Sequence, residues 1–180
     1  MTRVPLIDPA AAQPAVAATL GKIESAFGGV IPNMFRATAN SPAALKSMWA
    51  SFGAFSTGAL GAALTEQIAV AVADLNRCAY CLAAHTALGQ QAGLDPAALT
   101  AAQQGRADDP KTEALLGFAR DLADRRGAVD EQAVPGLLAL GWTEEQVVET
   151  IAQVALNLFT NTLNIALEVP VDFPEVPFRS

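Results

Sequence analysis

The recurrence of alanine and leucine at helical spacing is the feature that most constrains the fold of this chain. Apolar residues return three or four positions apart in most segments, and runs of β-branched residues are nearly absent. Hydrophobic residues make up 52% of the 180 positions, which is enough for one sizeable core. The sequence therefore predicts a single all-α domain over residues 1–180, a bundle of about seven helices. Prolines near both ends predict extended arms over 1–14 and 168–180.

Capping residues and glycines mark the ends of the predicted helices. Gly28 and Gly29 end the first helix, and the segment 30–32 after them reads as loop. Thr143 with Gln146 three residues later forms a capping box, which opens a long helix to about Leu167.

The charge of the chain excludes some classes of partner. The formal net charge is −7, and the 11 basic residues form no run. A nucleic-acid groove needs clustered Lys and Arg, so we expect no nucleic-acid partner. No apolar run reaches membrane-spanning length, and the N-terminus lacks the apolar region of a signal peptide. We therefore expect no membrane partner and a cytoplasmic location.

Three reactive side chains lie within eight consecutive positions. Cys78, Cys81 and His85 are both cysteines and the single histidine of the chain, in the pattern C-x-x-C-x-x-x-H. In a reducing compartment such a cysteine pair is usually redox-active or metal-binding. Cys81 and His85 are i,i+4 neighbours on a helix, so the imidazole is able to act as a base for the thiol.

The chain must reverse direction if Glu66 is to join this cluster. On one straight helix Glu66 and Cys78 would lie about 18 Å apart along the axis. Asn76 is a suitable residue for a turn, and we predict a break at Asn76–Arg77 with Cys78 in the first turn of a new helix. Glu66 would then return to the level of His85. The sequence thus predicts a proton relay from Glu66 through His85 to Cys81.

These residues carry a resemblance to a known family. Glu66, twelve intervening residues, C-x-x-C, three residues and His85 resemble the motif of the alkylhydroperoxidase D-like proteins of the carboxymuconolactone decarboxylase superfamily. The tail VDFPEVPF resembles the peroxidase-related branch of that family. Tyr80 stands where the family's best-known member has a second histidine.

The resemblance implies an all-α enzyme that reduces organic hydroperoxides. By this analogy Cys81 attacks the peroxide and becomes a sulfenic acid, and Cys78 resolves it as an intramolecular disulfide. The implied partners are a small hydroperoxide and a dithiol reductant or redox protein, with no cofactor and no catalytic metal. The resemblance also implies a homo-oligomer, a trimer or a hexamer.

Other interpretations remain open at the level of sequence. One is a lyase acting on a lactone, like the decarboxylases of the same superfamily, although these do not depend on a C-x-x-C pair. Another is a non-catalytic redox sensor, or a zinc-binding module that uses both cysteines, His85 and Glu66. Asn157, Asn161 and Asn164 are unfavourable inside a helix and are expected to line the pocket or an interface.

Overall fold

The computed structural model describes residues 2–179, which form helices and no strand. The helices are α1 (Pro14–Ala26), α2 (Asn33–Thr38), α3 (Pro42–Phe55), α4 (Ala62–Leu75), α5 (Ala79–Gln91), α6 (Pro96–Gln103), α7 (Pro110–Asp124), α8 (Ala133–Ala139) and α9 (Glu144–Leu167). The predicted single all-α domain is confirmed. None of these helices is both long enough and apolar enough to cross a membrane.

The helix count exceeds the prediction, and two short elements lie where no helix was predicted. One is α2, whose side chains Met34 and Phe35 are buried against α3. The other is a 3-10 turn at Pro9–Ala11 inside the predicted N-terminal arm, where the Asp8 carboxylate accepts the Ala10 N–H. Turns this short carry too few residues to show a periodic pattern in the sequence. Met1 and Ser180, the outer ends of the two predicted arms, lie outside the described residues.

Helix α4 is the centre of the bundle. It packs against α5, α6, α7 and α9, and its seven consecutive residues from Ile68 to Asp74 are at most 1% exposed. A helix that is apolar on all sides must be surrounded by other helices. Alternating alanines at positions 69, 71 and 73 present little bulk, so the neighbouring helices are able to approach closely.

A tight turn joins α4 to α5 at the predicted break. Arg77 has a left-handed backbone (φ 58°), and the Arg77 and Cys78 N–H groups donate to the Asp74 and Ala73 carbonyls. This hydrogen-bond pattern is a Schellman motif, which ends one helix and redirects the chain. The Asn76 side chain donates to Asn161 Oδ1 on α9 at 2.9 Å, which ties the turn to the longest helix. The two helices therefore run back along each other as a hairpin.

The last residues cross the bundle as an extended segment, which we call the C-terminal strap (residues 169–179). Its Arg179 N–H donates to the fully buried Asp74 carboxylate at 2.9 Å. The Pro177 carbonyl accepts from Gln103, and the Phe178 ring lies beneath the Arg77 guanidinium, 4.4 Å from the ring centroid. The strap thus lies over the α4–α5 turn, next to the cysteines.

Candidate active site

The α4–α5 hairpin brings Glu66 and His85 into contact. Glu66 Oε2 lies 2.7 Å from His85 Nδ1, and the two side chains are only 16% and 12% exposed. Glu66 is the fifth residue of α4, beyond the first turn, so the dipole of the helix start does not explain a carboxylate there. The contact leaves the other ring nitrogen, Nε2, for a second partner. A carboxylate that holds Nδ1 orients the ring and fixes the tautomer.

The cysteine pair lies at the start of α5. Cys78 is the N-cap residue, Cys81 lies in the first turn, and their sulfur atoms are joined as a disulfide with the Cα atoms 5.4 Å apart. The Cys81 N–H donates to Cys78 Sγ at 3.3 Å. A helix N-terminus favours negative charge, so this position favours the thiolate form of both residues after reduction. Both residues are at most 2% exposed, and a reagent must enter through a cavity to reach them.

An apolar cavity of about 140 Å³ adjoins Cys81, His85 and Glu66. Its other walls are aromatic and aliphatic except for Thr160. They comprise Phe27, Pro32, Met34, Phe35, Trp49, Phe52, Tyr80, Ala84, Leu88, Thr160 and Phe173. A site with a few polar groups at one end of an apolar pocket suits a small organic molecule with one reactive polar group. Cys78 adjoins a different cavity, of about 180 Å³, together with Tyr80 and Asn164.

Tyr80, which lies between the two cysteines in the sequence, joins α5 to α2 and to the C-terminal strap. Its hydroxyl accepts the Met34 N–H from α2 at 3.1 Å, and its ring packs edge-on against Phe173 of the strap. Burial of the hydroxyl raises the pKa of Tyr80 well above its ordinary value; the Met34 hydrogen bond opposes this, and the Asp172 carboxylate adds to it. Tyr80 therefore stays protonated and is unable to serve as the base that a histidine would provide.

The buried face of α9 supports the hairpin with amide side chains. Asn161 accepts the hydrogen bond from Asn76 in the turn, and Asn164 Nδ2 donates to Cys81 Sγ at 3.2 Å. Asn157 instead donates to the Gln153 carbonyl on its own helix. All three asparagines are at most 3% exposed within the single chain, so they lie between helices of one protomer.

Sequence reasoning placed Glu66, Cys81 and His85 together, and the structure brings these three to one cavity. It did not predict the contact of Asn164 with the Cys81 sulfur. The asparagines on α9 were the available signal, because asparagine is unfavourable inside a helix and indicates polar contacts there. Sequence reasoning also did not find that Trp49 and Phe52 line the cavity, because a core aromatic and a pocket aromatic have the same sequence pattern.

The zinc-binding alternative gains no support from the geometry. Within residues 2–179, no group of three or more His, Cys, Asp or Glu side chains is arranged to hold a metal ion. Cys78 and Cys81 are bonded to each other, and Glu66 contacts His85 through Nδ1.

The segment that carries the candidate site matches a known protein family. Residues 42–125 match the sequence profile of the Carboxymuconolactone decarboxylase family. The chain is therefore similar to this family over just under half of its length. The match covers α3 to α7 and therefore includes Glu66, both cysteines and His85, but not α9. No curated protein matches the chain in sequence.

Solved structures share the fold over nearly the whole chain. The alkylhydroperoxidase D core, an uncharacterised peroxidase-related protein from Ralstonia eutropha JMP134, superposes with a TM-score of 0.86 at 24% identity and covers 95% of this chain and 92% of its own. A peroxidase-related protein from Silicibacter sp. TM1040 gives 0.79 at 24% identity, with 94% and 91% covered. The debrominase Bmp8, in complex with 2,3,4-tribromopyrrole, gives 0.80 at 19% identity, with 96% and 92% covered. The alkylhydroperoxidase D-like fold is thereby confirmed.

Proposed function

We propose that this protein is a thiol peroxidase that reduces organic hydroperoxides through a Cys78–Cys81 redox cycle. The observation that supports it most is the 2.7 Å contact between Glu66 and His85 at the cavity that also opens onto Cys81. A nucleophilic cysteine needs a base, and the base needs a group that orients it. The similarity of residues 42–125 to the Carboxymuconolactone decarboxylase family is consistent with this chemistry, and so are the peroxidase-related proteins that share the fold.

The cycle begins with the reduced pair. His85 takes the proton of Cys81, and the Glu66 carboxylate stabilises the imidazolium that forms. The Cys81 thiolate attacks the terminal oxygen of the hydroperoxide, the O–O bond breaks, and the alcohol leaves with the proton from His85. Cys81 is then a sulfenic acid. Cys78 attacks this sulfur as a thiolate, hydroxide leaves and is protonated to water, and the disulfide is formed.

A dithiol closes the cycle. One thiolate of the reductant attacks a sulfur of the disulfide to give a mixed disulfide, and the second thiol displaces the protein thiol. Both cysteines are nearly inaccessible, so the reductant is a slender dithiol or a redox protein that presents a narrow thiol-bearing arm. A cytoplasmic location belongs to this proposal, because the cycle requires a compartment that supplies reductant.

The apolar lining of the cavity supports an organic substrate over hydrogen peroxide. The lining has few polar residues, and apart from Thr160 the walls beyond Glu66, Cys81 and His85 are aromatic or aliphatic. Each buried methylene of a substrate adds favourable transfer free energy, about 0.8 kcal/mol. An organic hydroperoxide with an alkyl or aryl group therefore binds better than hydrogen peroxide.

A homo-oligomer, trimeric or hexameric, is also part of the proposal. The outer face of α9 carries a stripe of exposed apolar side chains, Val148, Ile151, Phe159 and Ile165, of which Val148 is 64% exposed. Apolar side chains at this helical spacing on a solvent face are typical of a subunit contact.

Steady-state peroxide consumption with a small dithiol tests the function. We expect Cys81→Ser to abolish consumption of an organic hydroperoxide and Cys78→Ser to stop turnover after the sulfenic acid forms. Normal turnover in both variants would rule out the cycle. The lyase alternative predicts activity on a lactone that survives both substitutions. The redox-sensor alternative predicts a reversible disulfide without sustained peroxide consumption.

A further inference from the structure

Asn164 makes a contact that the cycle described above does not use. Its Nδ2 donates to Cys81 Sγ at 3.2 Å. This is the one hydrogen bond found for the Asn164 side chain within residues 2–179, and its Oδ1 is buried without a hydrogen-bond donor there. An unsatisfied buried amide oxygen is costly, and a leucine of similar shape would fill the same space without that cost. The contact with sulfur is therefore the interaction through which this amide is able to act.

The Asn164 side chain contacts the Cys81 sulfur from the side opposite the apolar cavity. Asn164 adjoins the cavity on the Cys78 side and is not among the walls of the apolar cavity that opens onto Cys81, His85 and Glu66. The amide thus reaches the Cys81 sulfur from behind, and the side that meets an incoming substrate stays open. A donor in this position holds the sulfur in place without blocking attack.

We infer that Asn164 is a catalytic residue that stabilises the Cys81 thiolate through its side-chain amide N–H. A hydrogen bond to an ionised acceptor is about twice as strong as one to a neutral acceptor. The Asn164 bond is consequently stronger to a thiolate than to the disulfide sulfur or a protonated thiol. The same bond assists the reductive half of the cycle, because Cys81 leaves as a thiolate when a reductant attacks Cys78. This inference rests on the proposed thiol chemistry and adds a second source of thiolate stabilisation, independent of His85.

The charges around Cys81 come from elements other than α9. Tyr80 and His85 lie on α5, Cys78 is the N-cap residue of α5, and Glu66 lies on α4. The C-terminal strap contributes Asp172, whose carboxylate lies beside the Tyr80 hydroxyl. Arg77 of the α4–α5 turn and Glu168, the C-cap residue of α9, line the cavity on the Cys78 side together with Asn164. The buried residues in this part of α9, Thr160, Asn161 and Asn164, are uncharged. A change at position 164 thus alters the hydrogen bond to sulfur without removing a titratable group.

Two substitutions at one position test the role of the amide. In a Cys78→Ser background, Asn164→Leu removes the donor, and Asn164→Asp keeps the size but replaces the donor with a carboxylate. The rate of alkylation of reduced Cys81 by iodoacetamide is measured against pH, which gives the pKa of the thiol without any peroxide. We expect Asn164→Leu to raise this pKa by about one unit, and Asn164→Asp to raise it further. Alkylation at a pH below the pKa is then about tenfold slower in Asn164→Leu.

Asn157→Leu is the matched control. Asn157 is as deeply buried on the same helix, but its amide donates to the Gln153 carbonyl and does not contact a cysteine. We expect this variant to change the free energy of unfolding and to leave the pKa of Cys81 at its wild-type value. If Asn164→Leu does not fold, Asn164→Ala, which also lacks the amide donor and adds no charge, carries the test.

The pKa of Cys81 is measured without peroxide, so the role of Asn164 is tested independently of the proposed peroxidase function. A Cys81 pKa in Asn164→Leu, or in Asn164→Ala, that equals the wild-type value overturns the role of Asn164, whatever the peroxidase activity. An equal shift in Asn157→Leu overturns it as well. A shift confined to position 164 supports that role even if the wild-type protein consumes no peroxide. In that case the proposed peroxide substrate is wrong, but the inference that Asn164 stabilises the Cys81 thiolate still stands.

Discussion

Replacement of Glu66 by glutamine tests the predicted relay with little change of shape. The side chain keeps its length, and its amide is still able to hydrogen-bond to His85 Nδ1. The substitution removes only the negative charge that lies 2.7 Å from the ring in the wild-type protein. Since His85 becomes an imidazolium when it takes the Cys81 proton, the loss of this charge destabilises the thiolate–imidazolium pair relative to the neutral pair.

The size of the effect follows from the nature of the bond. A hydrogen bond to a charged partner contributes about 1.5–3 kcal/mol, and a neutral one about 0.5–1.5 kcal/mol. Both side chains are mostly buried, so solvent screens the interaction only partly. A loss of about 1–2 kcal/mol corresponds to about a 5- to 30-fold slower reaction of the reduced protein with hydroperoxide.

Stopped-flow measurement of a single oxidation gives this rate without interference from the reductant. Glu149→Gln is the control, because Glu149 is another partly buried carboxylate, which accepts the Ala59 N–H at 2.7 Å far from the cysteines. We expect Glu149→Gln to lower the melting temperature and to keep the wild-type oxidation rate. An oxidation rate in Glu66→Gln within about twofold of wild type would refute the relay.

Two further predictions concern Tyr80 and the cavity. Burial raises the pKa of Tyr80, the single tyrosine of the chain, so the folded protein holds its proton where an unfolded tyrosine ionises, near pH 10.0. Stability is therefore full below that pH and falls above it, by up to about 1.36 kcal/mol per pH unit. Phenolate absorbance should appear only together with loss of helical circular dichroism, and a phenolate signal near pH 10 in a fully helical protein would contradict the burial argument. Ala84→Phe places a ring in the cavity of about 140 Å³ and should lower kcat/KM for a bulky aryl hydroperoxide by about tenfold or more, with little change for hydrogen peroxide. An equal loss for both peroxides would show that Ala84 does not limit the size of the substrate.

The sequence predicted the features that depend on local chemistry. The helical class followed from apolar spacing, and the capping box at Thr143 and Gln146 is present as predicted. The turn at Asn76–Arg77 followed from the distance that Glu66 would otherwise have to span. Its hydrogen-bond pattern agrees with this reasoning, because Arg77 adopts the left-handed backbone that ends a helix.

The features that depend on packing between distant segments were not predictable from a single sequence. The contact of Asn164 with Cys81 joins residues 83 positions apart, and nothing local distinguishes Asn164 from Asn157. The wall formed by Trp49 and Phe52 depends on how α3 meets α5 across the bundle. The strap also lacks any helical pattern, yet Arg179 and Phe178 fasten it over the turn between α4 and α5. Such contacts are determined by the tertiary arrangement of the helices.

The intact mass of the protein after a single turnover tests the central claim most directly. Reduced protein is treated with one equivalent of an organic hydroperoxide in the absence of reductant and is then analysed by mass spectrometry. The proposed cycle predicts that the wild-type protein loses two hydrogen atoms as the Cys78–Cys81 disulfide forms, that Cys78→Ser gains one oxygen atom, and that Cys81→Ser is unchanged. Consumption of the peroxide with no change in the mass of the wild-type protein, or the same oxidation in Cys81→Ser as in the wild type, would contradict it.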